Sequence, residues 1–325
     1  MRQAGRYMPE YRRLREKYSL LEMVRHPEIA AVVTLQPVQA LGVDAAILFA
    51  DILLPLIPMG LKLEFARGEG PVIGNPVRSA RDIAHLAPID AESSLGYVLE
   101  AIRILRGELS PSIPLIGFGG APFTLASYMI EGSSSRDYRL TKTLMLSEPQ
   151  LWANLMGKIA TAMENYLLAQ VHAGAQAIQL FDSWVGALSP QDYAENVMPY
   201  SAQVLKTLEA TGVPVIHFGT GTTTLLTLMR QAGGTVIGLD WRLPLDRGWA
   251  LLGDEVAVQG NLDPADLFAP LPVLRRRVED VLRRARGRTG HIFNLGHGIL
   301  PETPVDNVRA VVEMVHEFNA ALEVR

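Results

Sequence analysis

The chain has 325 residues, is 48% hydrophobic and 20% charged, and carries a formal net charge of −4. It has no cysteine, which excludes disulfides, iron–sulfur ligation, thiolate zinc sites and a thiol nucleophile together. The slight acidity argues against a generally basic nucleic-acid binder. No apolar run reaches the roughly 20 residues of a membrane span, because the longest, Gly42 to Leu63, is broken by Asp44, Asp51, Pro55 and Pro58. A cytoplasmic, reducing location is compatible with these features.

Met1 leads directly into RQAGRYMPEYRRLREKY, without the apolar core of a signal peptide. Arg2 and Arg6 are expected on a loop, because Gly5 and Pro9 oppose a continuous helix, which starts near Glu10. Arg12, Arg13 and Arg15 read as solvated helix surface.

Short β-branched runs then alternate with longer amphipathic stretches. The predicted strands are Ala45–Phe49, Ile113–Phe118, Ala177–Phe181, Val213–Phe218, Thr235–Leu239, Val256–Gln259 and His291–Leu295. The predicted helices include Pro27–Leu41, Ala91–Arg106, Leu151–His172, Asp192–Ala210, Leu271–Arg286 and Val305–Leu322. This alternation predicts an α/β fold with a parallel sheet and helices outside it. No linker divides the chain, so residues 1–325 are expected to form one domain. A (β/α)8 TIM barrel needs eight strands and only seven are visible. The natural place for the missing first strand is just before Arg2. Polar residues follow nearly every strand, in FAD, GFGG, FDS, HFG, GLD, QGN and NLGHG. Sites drawn from many strand ends favour a barrel over an open sheet.

Familiar cofactor motifs are missing. There is no Gly-x-Gly-x-x-Gly fingerprint, no Walker loop, no HEXXH, and no pair of His at helical zinc spacing. The Gly119–Gly120 pair before Ala121–Pro122 reads as a plain βα turn, with an anion-binding helix start as the alternative. The near-terminal arginines suit carboxylate or phosphate ligands, which guanidinium binds bidentately.

Five strings carry a resemblance across essentially the whole chain. They are RQAGRYMPEYR from Arg2, FADIL from Phe49, GFGGAPFTLASYMIEG from Gly117, FDSW from Phe181 and FNLGHGILPETP from Phe293. Together they resemble the uroporphyrinogen decarboxylase family. The resemblance implies a (β/α)8 barrel, a homodimer, and a carboxy-lyase of haem biosynthesis working without metal or organic cofactor. It implies a small-molecule tetrapyrrole substrate, with no nucleic acid and no membrane insertion. The reaction would remove CO2 from the four acetates of uroporphyrinogen III to give coproporphyrinogen III. It also implies a short segment ahead of the RQAGR string that holds the first barrel strand.

Residue by residue, the resemblance places Asp51 at the centre of the site. A carboxylate there accepts from pyrrole N–H groups and stabilises a protonated pyrrole, which serves as the electron sink while CO2 leaves. Asp51 read without the resemblance is a loop cap. Arg2 and Arg6 are implied at substrate carboxylates, and Tyr128 at the reacting acetate or Asp51. Phe181 is implied as an apolar wall, with Ser183 and His297 as polar substrate contacts. Asp182 reads more weakly, as loop support. Two other readings stay open at this point. One is a related barrel methyltransferase that activates a thiol with zinc, which the lack of cysteine disfavours. The other is a non-catalytic tetrapyrrole binder.

Overall fold

The computed structural model describes residues 3, 5–66 and 70–323. Among the described residues nine strands run in chain order: β1 (Ala46–Ile47), β2 (Leu63–Ala66), β3 (Gly70–Ile73), β4 (Leu115–Gly120), β5 (Ala177–Asp182), β6 (Val215–Gly219), β7 (Val236–Gly238), β8 (Ala257–Gln259) and β9 (His291–Ile292). β2 and β3 form a separate antiparallel hairpin. The other seven form one sheet in the order β1-β4-β5-β6-β7-β8-β9, and every neighbour pair is parallel. They are the seven strands expected from sequence, in the order of a barrel traversed once. The fold is an incomplete (β/α)8 barrel: the sheet curls but does not close.

β5 and β6 are buried along almost their whole length, which is what a sheet covered on both faces by inner side chains and outer helices requires. Two buried clusters fill the molecule. The larger runs from Tyr7 to Ala232, and the smaller gathers Trp249, Leu274 and Val311 around the last strands.

Two predicted helices are broken in the structure. Ala91–Arg106 is split into Ala91–Ser94 and Gly96–Glu108, and Asp192–Ala210 into Pro190–Asn196 and Met198–Glu209. The second break has a clear cause. Pro199 has no N–H to donate and its ring crowds the carbonyl four residues back, so the chain turns at Val197 and restarts. Among the described residues no helix is long and apolar enough to cross a membrane.

The sheet is open between β1 and β9. A cavity of about 520 Å³ lies there, lined by Ile47, Ile116, Gln259, Ile292 and Val311 among others. At its rim the Gln3 side chain bonds the β1 edge as a strand would, donating to the Ala45 carbonyl at 2.6 Å and accepting from the Ile47 N–H at 2.9 Å. His291 also lines the cavity, its Nε2 2.8 Å from the Gly260 carbonyl. Burial lowers its pKa below the ordinary histidine value, and the Gly260 contact offsets part of that. The unfolded chain therefore takes up this proton before the folded one does. Stability is fully present above the unfolded value of about 6.5 and falls as pH drops through it. A His291→Gln variant is expected to lose less stability than the parent between pH 7 and 5, measured by urea melts at both pH values. Equal losses in the two proteins would contradict this.

Candidate active site

The candidate site residues lie mostly at or just beyond the C-terminal ends of the strands, and an early departure of β1 positions the first of them. β1 still pairs with β4 at Leu48, whose N–H donates to the Ile116 carbonyl at 3.0 Å. One residue later the Phe49 N–H turns instead to Thr34 Oγ1, at 2.9 Å, on the helix Pro27–Leu41. The β4 edge is then without a strand at Phe118. Gln170, fully buried on the helix Pro149–Ala173, takes that place. Its amide accepts from the Phe118 N–H and donates to the Phe118 carbonyl, both at 2.9 Å. Gly117 makes room for it, because a Cβ there would collide with the Gln170 oxygen.

Freed from the sheet, the chain places Asp51 on a half-buried turn. Its Oδ1 accepts from the Leu53 N–H at 2.9 Å, so the capping role read from local sequence is real. The turn lies against the end of β4, where the absence of a Cβ on Gly120 admits Ile52 and Leu125. The negative charge of Asp51 is felt at the buried Tyr166. Burial first, then Tyr97 and Asp51, push that phenol well above its ordinary pKa, so it stays protonated.

β5 supplies the next residues. The Phe181 ring stands edge-on to Phe118 at 5.6 Å and to Phe218 at 6.0 Å, so one aromatic wall spans β4, β5 and β6. Ser183 follows at the exit of the strand, half-buried. Asp182 points elsewhere. It is fully buried, accepts from Ser201 Oγ at 3.2 Å, and lies 3.6 Å from His217 Nε2. Read from sequence as loop support, it meets instead a helix residue, Ser201, and a β6 residue, His217.

Tyr128 sits on the helix Pro122–Glu131, its ring stacked on Trp184 at 4.0 Å between centroids. His297 is exposed in the loop after β9, edge-on to Trp241 at 6.0 Å. The Arg242 guanidinium lies 4.0 Å over the same indole and pairs with Asp240 at 2.8 Å. Trp241 thus belongs to the rim, whereas Trp249 is buried core.

Arg6 is exposed on the turn that precedes the helix Pro9–Lys17. Arg12, read from sequence as solvated surface, has a tie the sequence did not reveal. It donates through Nε to the Arg6 carbonyl at 2.6 Å and through Nη2 to the Pro301 carbonyl at 3.1 Å. This staples the arginine turn to the loop that carries His297. Arg2 lies outside the described residues. Gly119 and Gly120, read from sequence as a βα turn, are instead the last two residues of β4, paired with Leu180 and Phe181, and the Ala121 N–H that follows is spent on the Phe181 carbonyl at 2.9 Å.

Polar and aromatic side chains at the C-terminal strand ends of a curled parallel sheet are the arrangement of the (β/α)8-barrel class of enzymes. Comparison with known proteins narrows the class. A family model described as uroporphyrinogen decarboxylase (URO-D) matches residues 1–318. A uroporphyrinogen decarboxylase of Sorangium cellulosum is 62% identical over 321 residues, covering 99% of this chain and 92% of the relative. One of Carboxydothermus hydrogenoformans is 58% identical, covering 98% and 91%. The chain belongs to the uroporphyrinogen decarboxylase family. Among solved structures, a methyltransferase from Methanosarcina mazei superposes with a TM-score of 0.79 at 21% identity, covering 92% of this chain and 87% of that one. At that identity the likeness concerns the fold alone.

Proposed function

We propose that this chain is a carboxy-lyase that converts the four acetate side chains of uroporphyrinogen to methyls, giving coproporphyrinogen, with Asp51 as its central carboxylate. Family membership across nearly the whole chain supports the reaction. The placement of Asp51 carries the mechanism. The early departure of β1 brings one half-buried carboxylate to the rim, on a turn packed against the end of β4.

The chemistry follows from the substrate. A proton added to the pyrrole α-carbon next to the one that bears the acetate makes a cationic ring. The bond from the methylene to the carboxylate then breaks, its electron pair enters the ring, and CO2 departs. A second proton on the exocyclic methylene makes the methyl, and loss of the ring proton restores the pyrrole. The net change is one proton consumed and one CO2 released per acetate. Asp51 accepts hydrogen bonds from pyrrole N–H groups in the ground state. Its attraction for the ring grows as the ring becomes cationic, so it lowers the barrier rather than merely tightening binding.

Arg6 acts best on a carboxylate that is not reacting, because pairing with the departing one stabilises the ground state. Arg2, by the same logic and from the family alone, takes a second carboxylate. Phe181 offers its face to a pyrrole, and Ser183, His297 and the Tyr128 hydroxyl orient side-chain carboxylates. Homodimerisation is part of the same reading. The test is the stoichiometry of CO2 released under anaerobic conditions from freshly reduced uroporphyrinogen. Four CO2 per tetrapyrrole are expected, and binding without release would favour the non-catalytic binder.

A further inference from the structure

Tyr128 belongs to one helix and Ser183 to the end of a different strand, so something must set their relative position. Besides the Ala121 N–H bond to the Phe181 carbonyl, three ties pass through Trp184. The backbone N–H of Trp184 donates to Thr124 Oγ1 at 3.4 Å, a tie that any residue other than proline keeps at this position. Thr124 lies one helical turn before Tyr128, on the same helix face. The Trp184 indole stacks on the Tyr128 ring at 4.0 Å with an interplanar angle of 32°. On Trp184 a second tyrosine, Tyr138, also packs, at 5.1 Å and 54°.

That second ring is itself held firmly. Tyr138 has φ 54° and ψ 37°, a left-handed conformation that a bulky residue rarely adopts. Its ring also packs on the buried Phe123 at 6.3 Å. The helix that follows, Arg139–Ser147, is tied on both sides. Thr141 donates through its N–H and its hydroxyl to Glu131 at 2.9 and 3.0 Å, and Lys142 Nζ reaches the Ala187 carbonyl at 2.6 Å. Backbone strain retained where packing over-determines it clusters at working sites.

We propose that Trp184 is a positioning residue for decarboxylation, which aligns the Tyr128 ring through this aromatic clamp and acts only through it. The inference rests on the reading of Tyr128 as a residue that contacts the reacting side chain. Trp184 is half-buried beside Ser183, and nothing here requires it to touch the substrate. A tyrosine hydroxyl displaced by about 1 Å costs on the order of a hundredfold in rate.

A double-mutant cycle with Tyr128→Phe tests it, with kcat and KM measured separately and folding followed by thermal melts. Trp184→Leu is expected to lower kcat by about 10- to 100-fold with KM within about threefold of the parent. Trp184→Phe keeps an aromatic face and is expected to retain most of kcat. In the Tyr128→Phe background, Trp184→Leu is expected to cost less than about twofold more. If Trp184→Leu does not fold, the Trp184→Phe loss is cycled in its place and must likewise vanish in the Tyr128→Phe background. Losses that multiply independently would overturn the positioning role while leaving the role of Tyr128 intact. Full activity of Tyr128→Phe would overturn both.

Discussion

Asp51→Asn is expected to lower kcat by at least about 100- to 1,000-fold, the range for removing one preorganised group that stabilises transition-state charge. The fold is expected to survive. The amide oxygen of Asn accepts from the Leu53 N–H as Oδ1 of Asp51 does at 2.9 Å, so the turn keeps its cap. What is lost is the negative charge, together with the capacity to accept from several pyrrole N–H groups at once. The variant's melting temperature should therefore stay within about 2 °C of the parent, a change of about 1 kcal/mol for a chain of this size. Near-normal kcat in the well-folded variant would remove Asp51 from the chemistry. Asp51→Glu is a useful companion, since it keeps the charge and moves it by one methylene.

Gln170→Leu carries the largest expected effect on stability. Leucine has a similar size but leaves the N–H and the carbonyl of Phe118 unpaired in a fully buried place. Each orphaned group costs about 1–3 kcal/mol, so the pair is expected to cost about 2–6 kcal/mol. At roughly 1.5 °C per kcal/mol for a chain of this length, the melting temperature should drop by about 3–9 °C. Activity should fall as well, because the β4 edge at Phe118 is where the chain to Asp51 leaves the sheet. An unchanged melting temperature would show that water or a shifted β1 satisfies Phe118 equally well.

The two variants show where sequence reasoning works and where it stops. The seven sheet strands were legible because each is a short apolar run between stretches with helical period. The β2–β3 hairpin was not, since its first strand, Leu63–Ala66, begins inside a longer apolar run and its second, Gly70–Ile73, opens on glycine and proline. Helix breaks at Leu95 and Val197 are local events that a long amphipathic pattern overrides. The site residues were named by family strings, while the strand-end pattern alone gave only a barrel-like rim. Local reading of Asp51 as a cap was correct, and it is compatible with the proposed role, because the same carboxylate can hold a turn and face a ligand.

Contacts over long sequence separations left no local signal. Gln170 meets Phe118 across 52 residues, and Arg12 meets Pro301 across 289. Such partners follow from the path of the chain in space. Nothing in an arginine within RRLR, or in a glutamine within a long helix, distinguishes these roles from solvated ones. Trp184 is similar. Its neighbours in FDSW belong to the family pattern, but its stack on Tyr128 exists only once helix and strand are assembled.

The most direct measurement places the parent chain and Asp51→Asn side by side under anaerobic conditions. Freshly reduced uroporphyrinogen is added, its binding is verified for both, and the oxidised products are separated by carboxylate number. The parent should yield the seven-, six-, five- and four-carboxylate series, while the variant binds the eight-carboxylate substrate and leaves it essentially unchanged. The full series from Asp51→Asn at the parent's rate, or its absence from the parent with substrate bound, would contradict the central role given to the charge on Asp51.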